Sequence, residues 1–354
     1  MERQLVTNQK GEIEFRRKLS QQQIEGEKSL DDEYDAQSVE TLLKERMSHT
    51  LARMKELKNT GMPMSPYLEI GAERGQRSLV MENEIGASGA AADISFDMLK
   101  SCDHYKKAFD MQRAPARLCC DANNLPLKSN SLPFVFCYET LHHFPDPSPI
   151  VAEIFRVIRP GGYFVFEEEP YKKVLHWNLY RGSRMYSAET LNRNILQRFF
   201  DRFFAVNVCN EIEYGIIENH EISTAQWKNA LSPFDTKDVW LRPSNRSSFR
   251  ASLFSPAWQP KYLAAYLFGG SITGVCRKQS PSTGESQGSI YQALVCPACR
   301  QHRGSEESLL QSGPLFTCAK CSTRYPVVDG VAFLFEPEKF RELYPEIFES
   351  FQSR

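Results

Sequence analysis

The sequence predicts an α/β fold, a mostly parallel sheet with helices on both faces, followed by a small four-cysteine module toward the C-terminal end. Three observations carry this. Short apolar runs alternate with helical patterns between residues 67 and 166, the rhythm of strands joined by crossover helices. Acidic residues stand at or just past the ends of successive runs, at Glu69, Asp93 and Asp121. Two Cys-x-x-Cys pairs, Cys296/Cys299 and Cys318/Cys321, are separated by 18 residues.

Residues 1–36 are polar, rich in Gln and Glu and poor in apolar anchors, so they are expected to be loosely ordered. From Ser38 to Lys58, Leu43, Met47, Leu51, Met54 and Leu57 fall on one helical face, and Gly61, Pro63 and Pro66 end that helix. Five strands are then expected, at residues 67–70, 90–93, 117–120, 134–138 and 163–166, with a clear helix over Pro149–Ile158 before the Arg159-Pro160-Gly161-Gly162 turn. Residues 171–260 lose the rhythm and are rich in aromatics (Trp177, Phe199, Phe203, Trp227, Trp240), which reads most simply as core packing and also as an insert covering a substrate. Ser271–Cys276 is a closing strand, completing a catalytic domain over 37–278. Residues 279–288 have linker composition, 289–336 hold the cysteine module and 337–354 form a terminal helix.

With 354 residues the chain can bury a sizeable core, and 43 Lys plus Arg against 44 Asp plus Glu leave a formal charge of -1. That balance disfavours a nucleic-acid partner, which usually draws a basic excess. The N-terminal stretch has no apolar core of a secretory signal, and no apolar run is long enough to span a membrane. A cytoplasmic location is therefore expected, with the ten cysteines as thiols or metal ligands. Nothing in the sequence specifies an oligomeric state.

The segment Leu68-Glu69-Ile70-Gly71-Ala72-Glu73-Arg74-Gly75 ends a strand in a glycine turn where backbone can pass close to a ligand. Asp93 follows about 20 residues on, the spacing at which an acid accepts hydrogen bonds from ribose hydroxyls. Asp121 follows the third strand, and carboxylates at adjacent strand ends converge on the ligand crevice of an open α/β sheet. The stretches YLEIGAERG, AADIS, CDANNLPL, FVFCYETLHHFPDP and IFRVIRPGGYFVFEEEP, from Tyr67 to about Glu169, resemble the class I S-adenosylmethionine-dependent methyltransferases of the type 11 group. The last two stretches are the most specific.

The resemblance implies a Rossmann-like, seven-stranded sheet and S-adenosylmethionine as cofactor. It implies that Gly71 and Gly75 pass under the methionine part, that Glu69 helps to bind it, that Asp93 holds the ribose, and that Asp121 with the amide of Ala122 meets the adenine. Two departures stand out: Glu73 occupies a usual glycine, and Pro133 or Phe134 stands where strand four usually opens with Asp. A nicotinamide enzyme is the rival, but its G-x-G-x-x-G fingerprint is missing.

Methyl transfer is an in-line displacement, so positioning can supply much of the catalysis, and a base is needed only when the acceptor loses a proton. Glu139, His142 and His143, after strand four, are the candidate catalytic residues; each histidine also fits a structural role, capping a helix or ordering the loop. The Asn/Asp-Pro-Pro-aromatic loop of amine and amide methylation is absent, as is a Pro-Cys nucleophile.

Cys296, Cys299, Cys318 and Cys321 have the spacing of a zinc ribbon, in which four thiolates leave no open position and the ion is structural. The segment Arg324-Tyr325-Pro326-Val327-Val328-Asp329-Gly330-Val331 resembles the zinc-ribbon activator subunit of tRNA and translation-factor methyltransferases, which implies an activator carried in cis. Cysteines 102, 119, 120, 137, 209 and 276 show no ligand spacing. Three functions are consistent with this reading. The leading one is methyl transfer to a small-molecule, lipid or saccharide acceptor. The others are methylation of RNA or a translation protein, and a non-catalytic interaction protein suggested by Glu73.

Overall fold

A computed structural model of the chain describes residues 9–25, 36–172, 222–242, 249–268, 270–279 and 288–353. Residues 280–287 of the expected linker, Cys209 and the aromatics between 177 and 204 lie outside the described residues.

Two helices, α1 (Gln9–Glu25) and α2 (Ala36–Asn59), precede the sheet. α2 buries Leu43, Met47, Met54 and Leu57, the face its spacing marked. Then come β1 (Tyr67–Ile70), α3 (Gln76–Val80, continued by a π-helical turn over Met81–Ile85) and β2 (Gly89–Asp93). α4 (Phe96–Lys100), α5 (Cys102–Ala108) and β3 (Ala116–Cys119) follow. β4 (Leu132–Tyr138), α6 (Ser148–Val157) and β5 (Ile158–Tyr171) complete the alternating half. All seven residues of β4 are buried, as expected of a strand covered on both faces.

The second half holds α7 (Thr224–Ala230), β6 (Thr236–Arg242), β7 (Ala251–Ser252), α8 (Pro260–Phe268) and β8 (Gly270–Arg277). The cysteine module contributes α9 (Ile290–Ala293), α10 (Pro297–Arg303), β9 (Leu309–Ser312), β10 (Leu315–Cys318), β11 (Arg324–Val328) and β12 (Val331–Phe333). α11 (Pro337–Leu343) and α12 (Pro345–Gln352) close the chain.

Four expectations are corrected. Residues 9–25, expected to be loosely ordered, form α1, because Ile13, Phe15 and Leu19 find apolar partners on α4 and the C-terminal helices. The sheet has twelve strands among the described residues, eight from the part expected to hold seven and four from the cysteine module, in the order β7-β6-β8-β5-β4-β1-β2-β3-β12-β11-β10-β9. It is mixed rather than mostly parallel: β5, β4, β1, β2, β3 and β12 run parallel, and every other pairing is antiparallel. The expected terminal helix is two, since Pro345 cannot continue α11 and starts α12 instead.

The cysteine module is not a separate body. Its last strand, β12, pairs with β3 (Val331↔Arg117, Ala332↔Leu118, Phe333↔Cys119), so an edge that would otherwise be open is covered. The described part of the expected substrate cover also joins the sheet, through β6 and β7. Trp227 is fully buried with its ring stacked 5.6 Å from Phe166, so this aromatic belongs to the core.

Candidate active site

The C-terminal ends of β1, β2 and β4, with the loop after β3, open into one cavity of about 1090 Å³. This is the crevice where open α/β sheets bind ligands. Of the candidate residues, Gly71, Asp93, Asp121, Ala122, Glu139, His142 and His143 line it; Glu69 and Gly75 do not. α1 and α11 close it from the side, through Gln9, Arg16, Lys339 and Glu342.

The turn after β1 is built by backbone conformation. Gly71 has φ +66°, and a Cβ there would collide with the Thr140 side chain. Glu73 also takes positive φ, +47°, which is why a glycine suits this position. Its amide donates to Asp93 Oδ2 at 2.8 Å, so the turn keeps its shape despite the side chain. The Glu73 carboxylate is carried to Arg46 (3.0 Å) and Arg16 (3.4 Å) on the two leading helices. Burial pushes this carboxyl up, but Arg46 and Arg16 outweigh it and hold it well below the usual range. Glu69 lies beneath the turn, almost fully buried. Its Oε2 accepts from Ser78 Oγ at 2.6 Å and its Oε1 has no hydrogen-bond partner. Burial raises its pKa to about 7, against the pull of Arg77 and Ser78.

Asp93 accepts from the amides of Ser95 and Glu73, both at 2.8 Å; burial still pushes its pKa up to about 6. Asp121 caps the short turn Ala122–Asn124 by accepting from the Asn123 amide at 2.8 Å. Its other oxygen accepts from Gln9 Nε2 of α1 at 2.9 Å.

At the opposite end, Glu139, His142 and His143 follow β4. Glu139 is at φ +48° and pairs with Arg46 at 3.5 Å. The residue that organises this loop is Glu169, fully buried on β5. Its Oε1 accepts from the amides of Thr140 (2.7 Å) and Leu141 (2.9 Å). Its Oε2 accepts from the His142 amide (3.2 Å) and lies 2.9 Å from His142 Nδ1. Burial raises the Glu169 carboxyl, but His142 and these amides overcome it and lower its pKa. An ionised carboxylate only accepts, so His142 Nδ1 carries a proton, and in the neutral ring the lone pair is then on Nε2. The sequence reading missed Glu169; its signal was three consecutive acids, 167–169, ending an otherwise apolar strand. It also missed Gln9, Arg16, Arg46 and Arg77, which carry no motif. Cys137 is buried in β4 and its thiol is pushed far up by burial, which fits an inert packing residue.

A family model described as "methyltransferase domain" matches residues 68–166, the span that builds this crevice from β1 to β5. Residues 68–166 are thus similar to a methyltransferase domain. The chain is similar to an uncharacterized chloroplastic methyltransferase of Arabidopsis thaliana, 38% identical over 21% of this chain and 22% of that protein. It is similar to phthiotriol/phenolphthiotriol dimycocerosates methyltransferase 1 of Mycobacterium ulcerans, 33% identical over 31% of this chain and 43% of the relative. The chain thus matches less than half the length of either. Among solved structures, a SAM-dependent methyltransferase from Archaeoglobus fulgidus shows 16% identity over 65% of this chain and 94% of that one, with a TM-score of 0.39.

The residues of this crevice are compatible with S-adenosylmethionine, the cofactor that the sequence resemblance implies. The cradle at Gly71 has no room for a Cβ, Asp93 and Asp121 present carboxylates along one wall, and the volume suffices for a nucleotide-sized ligand.

Beside this domain, Cys296, Cys299, Cys318 and Cys321 bring their sulfurs within 4.8 Å of one another. The Cys296–Cys321 and Cys299–Cys318 separations are 3.5 and 3.8 Å. A tetrahedron of Zn–S bonds of about 2.3 Å sets sulfurs about 3.8 Å apart, so the donor set fits a zinc ion. α10 carries Arg300 to Glu153 of α6 at 2.6 Å, which docks the cysteine module on the domain. No helix among the described residues is long and apolar enough to cross a membrane.

Proposed function

We propose that this chain transfers a methyl group from S-adenosylmethionine to a small-molecule, lipid or saccharide acceptor, with His142 as the base. The observation that carries the base is the Glu169–His142 pair at the cavity wall. When bound, the cofactor supplies a methyl group on a sulfonium. Asp93 and Asp121 with the Ala122 amide hold its ribose and adenine, and the Gly71–Gly75 turn supports its methionine part, over the buried Glu69. Glu169 fixes the His142 tautomer, and Nε2 takes the acceptor's proton as the new bond forms. Glu139 and His143 border the same acceptor space. Relatives named for malonyl-[acyl-carrier protein], phthiotriol/phenolphthiotriol dimycocerosates and sterol acceptors, at partial coverage, support the acceptor class. A structural zinc in the four-cysteine cluster completes the reading, with the ribbon serving the domain in cis.

The test incubates the full chain and methyl-labelled cofactor with an extract of the source cells, then separates organic-soluble, nucleic-acid and protein pools. Label in the small-molecule or lipid pool, lost in His142→Ala, is expected. Label confined to RNA or protein would overturn the acceptor class and leave the ribbon resemblance as the guide.

A further inference from the structure

Four cations line the cavity: Arg16, Arg46, Arg77 and Lys339. Three have carboxylate partners: Arg16 with Glu12 and Glu73, Arg46 with Glu73 and Glu139, and Lys339 with Glu342 at 3.3 Å. Arg77, on α3, forms no salt bridge among the described residues, although Glu69, Glu73 and Glu168 act on it through space. It is only 3% exposed, its Nε is buried without a hydrogen-bond partner, and its guanidinium stacks 4.5 Å from the centre of the Tyr138 ring. A guanidinium stays charged in a protein, and burying one unpaired is costly unless an anion arrives to meet it.

We propose that Arg77 receives the α-carboxylate of the methyl donor; this rests on the reading of the cavity as the donor's site. The donor carries a sulfonium, an ammonium and one carboxylate, so that carboxylate is its single negative group. The cavity is otherwise hostile to it, because Glu73, Glu139, Asp146 and Glu168 also line the wall. Arg77 and Tyr138 lie beside Gly71, where the methionine part is supported. A planar fork over an aromatic ring suits bidentate capture of a carboxylate and also resists the wrong end of the ligand entering first.

Binding of S-adenosylhomocysteine and of its decarboxylated analogue to the full chain, measured by titration calorimetry, tests this. The wild type is expected to prefer the carboxylate-bearing ligand by roughly 10- to 100-fold, the range of a charged hydrogen-bonded pair. Arg77→Met should erase that preference by weakening S-adenosylhomocysteine alone, and Arg77→Lys should keep part of it. A preference that survives in Arg77→Met overturns the proposal, as does an equal loss for both ligands, which is what losing the Tyr138 stack alone would produce. Should Arg77→Met fail to fold in a thermal melt, equal wild-type affinity for the two ligands overturns it in its place. Failure of the wild type to bind either ligand sinks the reading of the cavity itself, an outcome distinct from a failure at Arg77.

Discussion

Glu169 is buried with both oxygens occupied, accepting three backbone amides and the His142 ring nitrogen. Replacing it by Gln puts an amide hydrogen where an acceptor is needed, so Glu169→Gln is expected to cost about 1–3 kcal/mol. Turnover should fall by about tenfold or more, within the contribution of a positioned base. The folded-state pKa lies below the ordinary 4.5, so the carboxylate stabilises the fold fully above that value. That contribution fades as pH falls below it toward the lowered folded pKa. Urea melts of wild type and variant should therefore differ near neutrality and converge in acid; a gap independent of pH would refute the assignment. This residue was hidden in the sequence because its role depends on the β4–β5 pairing, which brings position 169 under residues 140–142.

Among the elements, α1 changes the reading most. It reaches Asp121 through Gln9, Glu73 through Arg16 and Asp97 through Arg17, so it spans the cavity from the loop after β3 to the turn after β1. Removing residues 1–25 is expected to speed release of S-adenosylhomocysteine by about tenfold or more, since changes of this kind act mainly on dissociation. Stopped-flow displacement measures it, and an unchanged release rate would show that α1 packs without gating. Gln9–Glu25 escaped sequence analysis because its three apolar anchors, Ile13, Phe15 and Leu19, are sparse and acquire meaning only against α4 and the C-terminal helices. α2, with a continuous apolar face, was legible for the opposite reason.

Across the whole molecule, the cysteine module and the methyltransferase domain share one sheet. Tyr344, just before α12, donates to the carbonyl of Ile94, the residue after Asp93, at 2.6 Å and accepts from the Phe96 amide at 3.0 Å. Loss of the metal should therefore reach the cofactor site. Chelation, or Cys318→Ser, is expected to lower the melting temperature by roughly 5–15 °C, the effect of several kcal/mol in a chain of this size. S-adenosylhomocysteine should bind more weakly in the same samples. An unaltered melt after the protein is shown to be metal-free would mean that β12 pairing alone holds the module.

The features legible in the amino-acid order are local and repetitive: the βα alternation from Tyr67 to Phe166, the acid-bearing strand ends, the glycine turn and the two Cys-x-x-Cys pairs. Each is legible because its physical requirement falls within a few residues, whether a period of apolar positions, a positive φ or a ligand spacing. Which of these meet is set by the folded chain. Pairing of β12 with β3 merged two expected domains into one sheet, and α1 supplied a wall to the cavity. Glu169 gained a histidine, and Arg77 was left buried with its Nε unpartnered and no salt bridge among the described residues. Such relations depend on contacts between residues tens to hundreds of positions apart, where burial and charge are set by what folds against them.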